Sequence, residues 1–272
     1  MAVISSLKNP TVKQIRALRR RAERERTGLF FVEGLQSCRA ALEAQVEIEA
    51  LVLAPSLITA ASAWPVIQSH CSAGGRTLEV SSQVFARLST RDRPQGVALV
   101  GRQRWQHLPS PVSTDEVWVA LCGVQQPGNA GTVIRTCDAV GAAGLILLGP
   151  TVDPYDPVAL RAATGTLFSQ RMIRADVHQF VAWARSQALP IIGTSGEGGR
   201  DFRTLSYRAP LVLLMGAERG GLPEVLLGVC DAVAHIPMAG SADSLNLGVA
   251  TGVMLYEAVR QRPPTPAVAS DS

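Results

Sequence analysis

The sequence contains few cysteines and no C-x-x-C pair. Its 272 residues include an odd set of five scattered cysteines, Cys38, Cys71, Cys122, Cys137 and Cys230. A disulfide framework uses an even number of cysteines and a zinc ribbon uses C-x-x-C pairs, so neither is predicted. The four histidines also lack the spacing of metal ligands. We therefore expect reduced thiols and no bound metal.

Long hydrophobic runs are also missing. One long uncharged run, residues 117–134, is interrupted by the sequence QQPGN, whose polar groups are costly inside a bilayer. Basic residues, rather than the apolar core of a signal peptide, follow the first residues of the chain. The sequence predicts neither a membrane span nor a secretory signal, and a cytoplasmic protein is expected.

Low-complexity sequence is nearly absent. With 47% hydrophobic and 18% charged residues, the composition is that of a folded globular protein. The length suits two domains, each with its own core. The proline-containing stretch 105–114 lacks periodicity and is predicted to be a linker. We predict an N-terminal domain over 1–104, a C-terminal domain over 115–262 and a disordered tail over 263–272.

Positive charge is concentrated near the N-terminus. Residues 8–26 contain eight basic and two acidic side chains, a local net charge of +6 in a chain whose formal net charge is +4. Such a concentration indicates a polyanionic partner, most often nucleic acid, although a solvated helix face is an alternative. The basic residues are Lys8, Lys13, Arg16, Arg19, Arg20, Arg21, Arg24 and Arg26.

Helix and strand patterns alternate along the chain, which indicates an α/β fold. In the N-terminal half, a proline after Asn9 and apolar residues at Val12, Ile15, Leu18 and Ala22 predict one short amphipathic helix. Predicted strands follow at 29–32, 48–53, 77–80 and 96–100, with helices at 34–44 and 61–70.

In the C-terminal half, apolar strands are predicted at 117–122, 145–148, 191–194, 211–215 and 232–236. Helices are predicted near 130–140, 157–163, 177–187 and 245–260, with a short one after Pro223. Strands that are apolar nearly throughout indicate a parallel sheet covered on both faces.

Three loops that follow predicted strands contain the candidate site residues, because ligands bind at the carboxyl ends of parallel strands. The first is QPGNAGTVIR at 126–135. In it, Asn129 is expected to cap a helix or to bind substrate. Arg135 lies about two turns into that helix, and an ordinary surface cation is the alternative.

The second loop, LMGAERGGL at 214–222, places three glycines around Glu218. Gly216 allows the backbone to approach a flat ligand closely. No G-x-G-x-x-G or P-loop pattern is present, which disfavours dinucleotide and nucleoside triphosphate binding. The third loop, IPMAGSADSLN at 236–246, leads into the last helix, where Ser244 is predicted to be the cap and Asn246 to lie in the first turn.

In this order, the three motifs resemble those of the SpoU/TrmH family of RNA methyltransferases, in the SPOUT class. The segments SSLKNPTVKQIRAL, FFVEG and RDRPQGVAL resemble a substrate-binding domain that many members carry, and VDPYDPVALRAATGTLF is similar to family sequence. Ala217 is a departure, since many members have Asn there. The resemblance implies a C-terminal SPOUT-type parallel sheet with a trefoil knot. It also implies a smaller N-terminal α/β domain that binds RNA and is similar to ribosomal proteins.

The resemblance also implies a function. It implies S-adenosyl-L-methionine as the methyl donor, a ribose 2′-hydroxyl of RNA as the acceptor, and a homodimer whose active site uses both subunits. The implied catalytic residues are Asn129, Arg135, Glu218, Ser244 and Asn246. The implied cofactor-binding residues are Met215, Gly216, Ile236, Met238 and Leu245. The implied RNA-binding residues are Lys8, Lys13, Arg16, Arg19, Arg20 and Arg161.

The expected chemistry requires neither a metal nor a covalent nucleophile, because a sulfonium is already a good leaving group. The enzyme must align the acceptor oxygen and stabilise its developing charge. Since arginine stays protonated, Arg135 is expected to stabilise that charge rather than to act as a base. Further phosphate contacts are expected from Arg87, Arg91, Arg93, Arg102 and Arg104.

Ribosomal RNA is favoured over tRNA, because the N-terminal domain resembles those of rRNA-modifying members. Antibiotic self-resistance by the same reaction remains open. The alternatives are a catalytically inactive RNA-binding or ribosome-associated protein of this fold, and a SPOUT enzyme that methylates a base.

Overall fold

The computed structural model describes residues 3–196 and 198–262, so the tail predicted at 263–272 lies outside the described residues. The chain divides into two compact units. The first contains the described residues up to Gln106, with Gln125–Asp138 and Val152–Met172. The second contains His107–Val124, Ala139–Thr151 and the described residues from Ile173 onward. The domain limits 1–104, 105–114 and 115–262 stay a prediction.

A four-stranded sheet forms the centre of the first unit. Its strands are β1 (Leu29–Glu33), β2 (Ile48–Leu53), β3 (Thr77–Glu79) and β4 (Val97–Arg102), in the order β1-β4-β2-β3. Strand β4 is antiparallel to β1 and β2, and β2 is parallel to β3. The helices are α1 (Pro10–Ala17), α2 (Arg21–Thr27), α3 (Leu35–Glu43), α4 (Ala63–Ser72), α5 (Ser82–Leu88), α6 (Pro127–Ala139) and α7 (Pro157–Ala163).

The single N-terminal helix predicted through Ala22 is wrong, because the chain forms two helices there. Asn9 caps α1, and its Oδ1 accepts hydrogen bonds from the amides of Thr11 and Val12 at 2.9 and 3.4 Å. The helix ends at Ala17, and α2 begins four residues later. The apolar spacing continues across this break, which is why the sequence pattern did not reveal it.

The side chain of Arg24 stabilises the turn between α1 and α2. Its side chain is only 1% exposed, and Nη1 donates to the carbonyls of Leu18 and Arg19, both at 2.9 Å. Its Nε lies 2.7 Å from Asp153 Oδ2, and its Nη2 lies 3.1 Å from Asp156 Oδ2. Arg24 therefore does not belong to the exposed basic surface that the charge pattern predicted.

Aromatic side chains also link residues 152–172 to β1. The Phe30 ring centroid lies 5.1 Å from that of Tyr155 and 5.5 Å from that of Phe168. The Tyr155 hydroxyl donates to the carbonyl of Arg104 at 2.9 Å. Residues 152–172 are therefore attached to the N-terminal part in three ways: by the ring contacts of Phe30, by the hydrogen bond to Arg104, and by the two carboxylates that pair with Arg24.

A seven-stranded sheet forms the centre of the second unit. Its strands are β5 (Val117–Cys122), β6 (Gly144–Leu148), β7 (Met172–Ala175), β8 (Ile191–Thr194), β9 (Arg200–Asp201), β10 (Leu211–Met215) and β11 (Ala232–His235). Their order across the sheet is β7-β6-β5-β10-β8-β11-β9. Every neighbouring pair in this order after β7 is parallel, starting with β6 and β5 and ending with β11 and β9. The predicted α/β fold with a parallel sheet is confirmed.

The helices of the second unit are α8 (Val177–Ser186), α9 (Glu224–Leu227) and α10 (Leu247–Arg260). The core contains Trp118 of β5 and Trp183 of α8, whose ring centroids lie 5.7 Å apart in an edge-to-face arrangement. Among the described residues, no helix combines the length and apolar character needed to cross a membrane.

Candidate active site

The carboxyl ends of β8, β10 and β11 border one cavity of about 610 Å³ in the second unit. This size lies in the range of small-molecule sites, roughly 300 to 1,000 Å³. Glu218 and Ser244 lie on its wall. So do all five residues expected to bind the cofactor, namely Met215, Gly216, Ile236, Met238 and Leu245. The structure thus brings seven of the predicted site residues together.

The loop after β10 is a tight turn that forms one wall of this cavity. The amide of Ala217 donates to the Gly221 carbonyl at 3.0 Å, and the amide of Gly221 donates back at 3.2 Å. A Cβ at Gly216 would lie 2.2 Å from the carbonyl carbon of Gly221 and 2.4 Å from the amide nitrogen of Leu222. Glycine at 216 is therefore required by close approach within the loop itself, in addition to any approach of a ligand.

Glu218 lies within this turn and is half-buried. Gly220 and Gly221, which complete the turn, have φ angles of +91° and +63°, a region that favours glycine. The glycines around the carboxylate thus have a conformational role. They let the chain reverse tightly enough to hold Glu218 on the cavity wall.

The loop after β11 leads into α10, and here the predicted cap is wrong. Asn246, not Ser244, is the N-cap, because its Oδ1 accepts a hydrogen bond from the amide of Gly248 at 2.9 Å. The helix starts at Leu247, two residues later than predicted, which shifts the capping position. Ser244 lies on the cavity wall, next to Asp243.

Asn129 and Arg135 both lie on α6, in the first unit. Asn129 is the third residue of the helix and is buried, so it does not cap the helix. Arg135 is exposed, and its side chain makes no hydrogen bond or ion pair with the described residues. It is available to an external anion, and its role in catalysis stays a prediction.

The predicted RNA-binding residues differ in their surroundings, although all six are exposed. Arg19 Nη2 donates to the carbonyls of Arg87, Leu88 and Ser89 at 2.8 to 3.0 Å, at the end of α5. Its guanidinium is therefore partly committed to the fold. The side chains of the other five make no hydrogen bond or ion pair with the described residues: Lys8, Lys13, Arg16, Arg20 and Arg161.

Three of the further arginines expected to contact phosphate are engaged within the protein, and one of them is Arg91, whose Nη2 donates to the Glu33 carbonyl at 3.3 Å. Arg102 forms ion pairs with Glu47 and Glu49, and Arg104 donates to the carbonyls of Ala44 and Gln45. Exposed ion pairs are weak and exchange readily, so Arg102 can exchange its carboxylates for an external phosphate. Arg104 forms no ion pair with any described residue and would have to give up its bonds to the two carbonyls.

The described cysteines form no disulfide, and burial raises the pKa of four of them, Cys38, Cys122, Cys137 and Cys230. Burial raises the pKa of Cys137 on α6 to about 12 and that of Cys230 to about 11. These groups are protonated at neutral pH and are therefore poor nucleophiles. No group of three or more His, Cys, Asp or Glu side chains in the described ranges is arranged to hold a metal ion.

Two family models match separate regions of this chain. A model of the SpoU rRNA methylase family matches residues 116–256, and a model of the MRM3-like substrate-binding domain matches residues 9–99. A 23S rRNA uridine 2′-O-methyltransferase of Streptomyces viridochromogenes is 42% identical over 158 residues, which cover 56% of this chain and 55% of that protein. This chain therefore spans about half the length of that relative in the alignment.

Two further proteins match over nearly their full length. A 23S rRNA guanosine 2′-O-methyltransferase of Bacillus subtilis is 27% identical over 94% of this chain and 98% of its own. The crystal structure of an AdoMet-bound rRNA methyltransferase from Sinorhizobium meliloti superposes with a TM-score of 0.88 and 40% identity, covering 97% of this chain and 99% of that one. The three strand-end motifs and these matches together show that the chain belongs to the SpoU rRNA methylase family.

Proposed function

We propose that this chain is an enzyme that transfers a methyl group from S-adenosyl-L-methionine to a ribose 2′-hydroxyl of rRNA in the cytoplasm. One observation carries the proposal, namely the cavity that collects Met215, Gly216, Ile236, Met238 and Leu245 at three strand ends. The names of the relatives support rRNA as the acceptor and the 2′-oxygen as its target atom.

The lining of the cavity fits a nucleoside with a charged side arm. Leu222, Ile236 and Leu247 supply apolar surface for an aromatic base. Hydroxyl and carboxylate groups also lie on the wall, at Thr194, Ser195, Glu218, Asp243 and Ser244. We infer that Met215, Gly216, Ile236, Met238 and Leu245 contact the adenosine part of S-adenosyl-L-methionine. When bound, this cofactor supplies an electrophilic methyl group on a good leaving group.

The residues of the chain then have to orient and activate the acceptor oxygen. Ser244 and Asn246 orient the nucleotide, Asn129 contributes to substrate positioning, and Glu218 positions a bound group. A guanidinium near the 2′-oxygen stabilises the negative charge that develops as the proton passes from the hydroxyl to solvent water. Because arginine remains protonated in proteins, Arg135 supplies this charge and contacts the adjacent phosphate.

The direct test is methyl transfer by the purified full-length chain. Incubation with methyl-labelled S-adenosyl-L-methionine and total bacterial RNA is expected to label rRNA. Alkaline hydrolysis of the labelled RNA should leave the label in an alkali-resistant dinucleotide, because a methylated 2′-oxygen cannot attack the neighbouring phosphate. Label in mononucleotides would instead indicate base methylation. RNA that binds but acquires no label would contradict the proposed activity.

We also propose that the protein acts as a homodimer that pairs through α10. Val249 and Tyr256 are 52% and 59% exposed, and their seven-residue separation places them on one face of this helix, with half-buried Val253 between them. Exposed apolar side chains in a row suit a second copy of the same helix. The family resemblance supports such a dimer.

Charged residues on this face should separate the subunits. We expect the double change Val249→Glu and Tyr256→Glu to convert a dimer to a monomer, because four carboxylates would meet at the two-fold axis. Light scattering after size exclusion measures the mass. Val225→Glu, at another exposed valine on α9, is the matched control and should remain dimeric. A wild-type mass for the double variant would exclude this face.

A further inference from the structure

A second cavity, of about 340 Å³, lies in the first unit at the start of α3. Its wall contains Ser37 and Arg39 of α3, and Arg91 and Gln95 of the loop before β4. Gln36, Ser62 and Thr164 complete the polar lining. None of these residues belongs to the cofactor cavity, and only Arg91 was expected to contact RNA.

The helix that opens this cavity has no side-chain cap. Gly34 occupies the N-cap position with φ +108°, and glycine has no side chain to accept hydrogen bonds from the first turn. The amide of Leu35 donates to Gln95 Oε1 at 3.3 Å. The next two amides receive no side-chain cap from the described residues. Unpaired amides at the start of a helix favour a negatively charged group.

Two guanidinium groups face the same cavity. Arg91 Nη2 lies 2.9 Å from the position of a Cβ at Gly34 and donates to the Glu33 carbonyl at 3.3 Å. Glycine at 34 thus makes room for Arg91 beside the helix start. Arg39 is exposed, and its side chain makes no hydrogen bond or ion pair with the described residues.

Ser37 provides an independent indication of a ligand. Its side chain is 4% exposed, it lines the cavity, and its hydroxyl makes no hydrogen bond with the described residues. The hydroxyl oxygen is not one of the fully buried atoms that lack a partner, so it is accessible from the cavity and can contact a ligand there. Glu33, a buried carboxylate that accepts a hydrogen bond from Ser89 Oγ at 2.6 Å, is not among the residues that line the cavity. The charged side chains of the lining are those of Arg39 and Arg91, and an oxygen-rich anion would satisfy their donors.

We propose that this cavity binds a backbone phosphate of the RNA substrate. Arg39 and Arg91 supply paired donors of the geometry that suits phosphate oxygens, and Ser37 and the α3 amides supply single donors. Such a contact orients the RNA without reading its sequence. The inference rests on the proposed function, because it takes RNA as the ligand.

Salt-dependent binding of labelled 23S rRNA tests this site. We expect Arg39→Ala to weaken binding about tenfold and to reduce the slope of log affinity against log salt by about 1, because one phosphate contact is lost. Ser37→Ala should weaken binding by only about threefold and leave the slope unchanged, because the hydroxyl carries no charge. Arg208→Ala, at an exposed arginine that lines neither cavity, is the control and should match wild type.

The outcomes separate this site from the proposed function. An Arg39→Ala variant with wild-type affinity and salt slope would overturn the site while leaving methyl transfer intact. A wild-type protein that binds no rRNA would instead overturn the proposed function. A titration with inorganic phosphate shows whether the ligand of the cavity is a free anion or a phosphate of the RNA backbone. Phosphate binding that Arg39→Ala removes while rRNA binding is unaffected would assign the cavity to a free anion. Unchanged cofactor binding and melting temperature in each variant confirm that it is folded.

Discussion

Arg135→Ala is expected to lower kcat for RNA methylation by at least about 100-fold while cofactor affinity stays within a few-fold, because a fixed cation stabilises the developing oxyanion only in the transition state. The side chain is exposed and unpaired among the described residues, so its removal leaves no buried group unsatisfied. Single-turnover methyl transfer measures the chemical step, and calorimetry measures cofactor binding.

Two further variants identify the reason for that loss. Arg135→Lys keeps the positive charge but loses the planar fork, so partial activity would indicate that the charge contributes on its own. Thr132→Ala alters an exposed neighbour on α6 whose hydroxyl donates only to the Gly128 carbonyl, and it should retain full activity. Wild-type turnover by Arg135→Ala would refute the assigned role.

Arg24→Ala is expected to destabilise the protein by about 3 to 5 kcal/mol, because it leaves a buried carboxylate without its cation. Asp153 is 4% exposed, and the carbonyls of Leu18 and Arg19 would also lose their donor. Urea unfolding, followed by circular dichroism, measures the change in midpoint.

The matched control lies on the same helix. Arg26 pairs with Glu23 at 2.6 Å, but its side chain is 69% exposed, so Arg26→Ala should leave the unfolding midpoint close to that of wild type. Changing Arg24 to Met together with Asp153 to Leu should recover part of the loss, because the unpaired charge is removed. Equal unfolding midpoints for Arg24→Ala and Arg26→Ala would contradict a structural role for the buried pair.

The sequence predicted most of the central strands because their burial is visible in their composition. Strands β5 and β10 are apolar over five or more residues, and both were predicted at their observed limits. By contrast, β9 contains only two residues and β7 includes exposed Arg174, so neither produces a recognisable run. Helix α5 was missed because its seven residues are too few for a clear helical period.

The loops that form the candidate site were predictable, because they follow one another along the chain as recognisable motifs. The strand-end loops could be located because each follows an apolar run. The Arg24 pair could not, since Asp153 lies 129 residues away and a single arginine within a basic segment resembles its exposed neighbours. The cap of α10 was misplaced by two residues, because Ser and Asn are both good caps and the difference depends on local backbone angles.

The contacts around Arg24 and Phe30 limit how the protein can be divided for study. A fragment ending at residue 104 would keep Arg24 but lose Asp153 and Asp156, and Phe30 would lose the rings of Tyr155 and Phe168. Truncation at the predicted linker would therefore expose the apolar surface around Phe30 and leave the Arg24 guanidinium without its carboxylate partners. Expression trials of the isolated N-terminal part should graft residues 152–172 onto it rather than stop at the predicted linker.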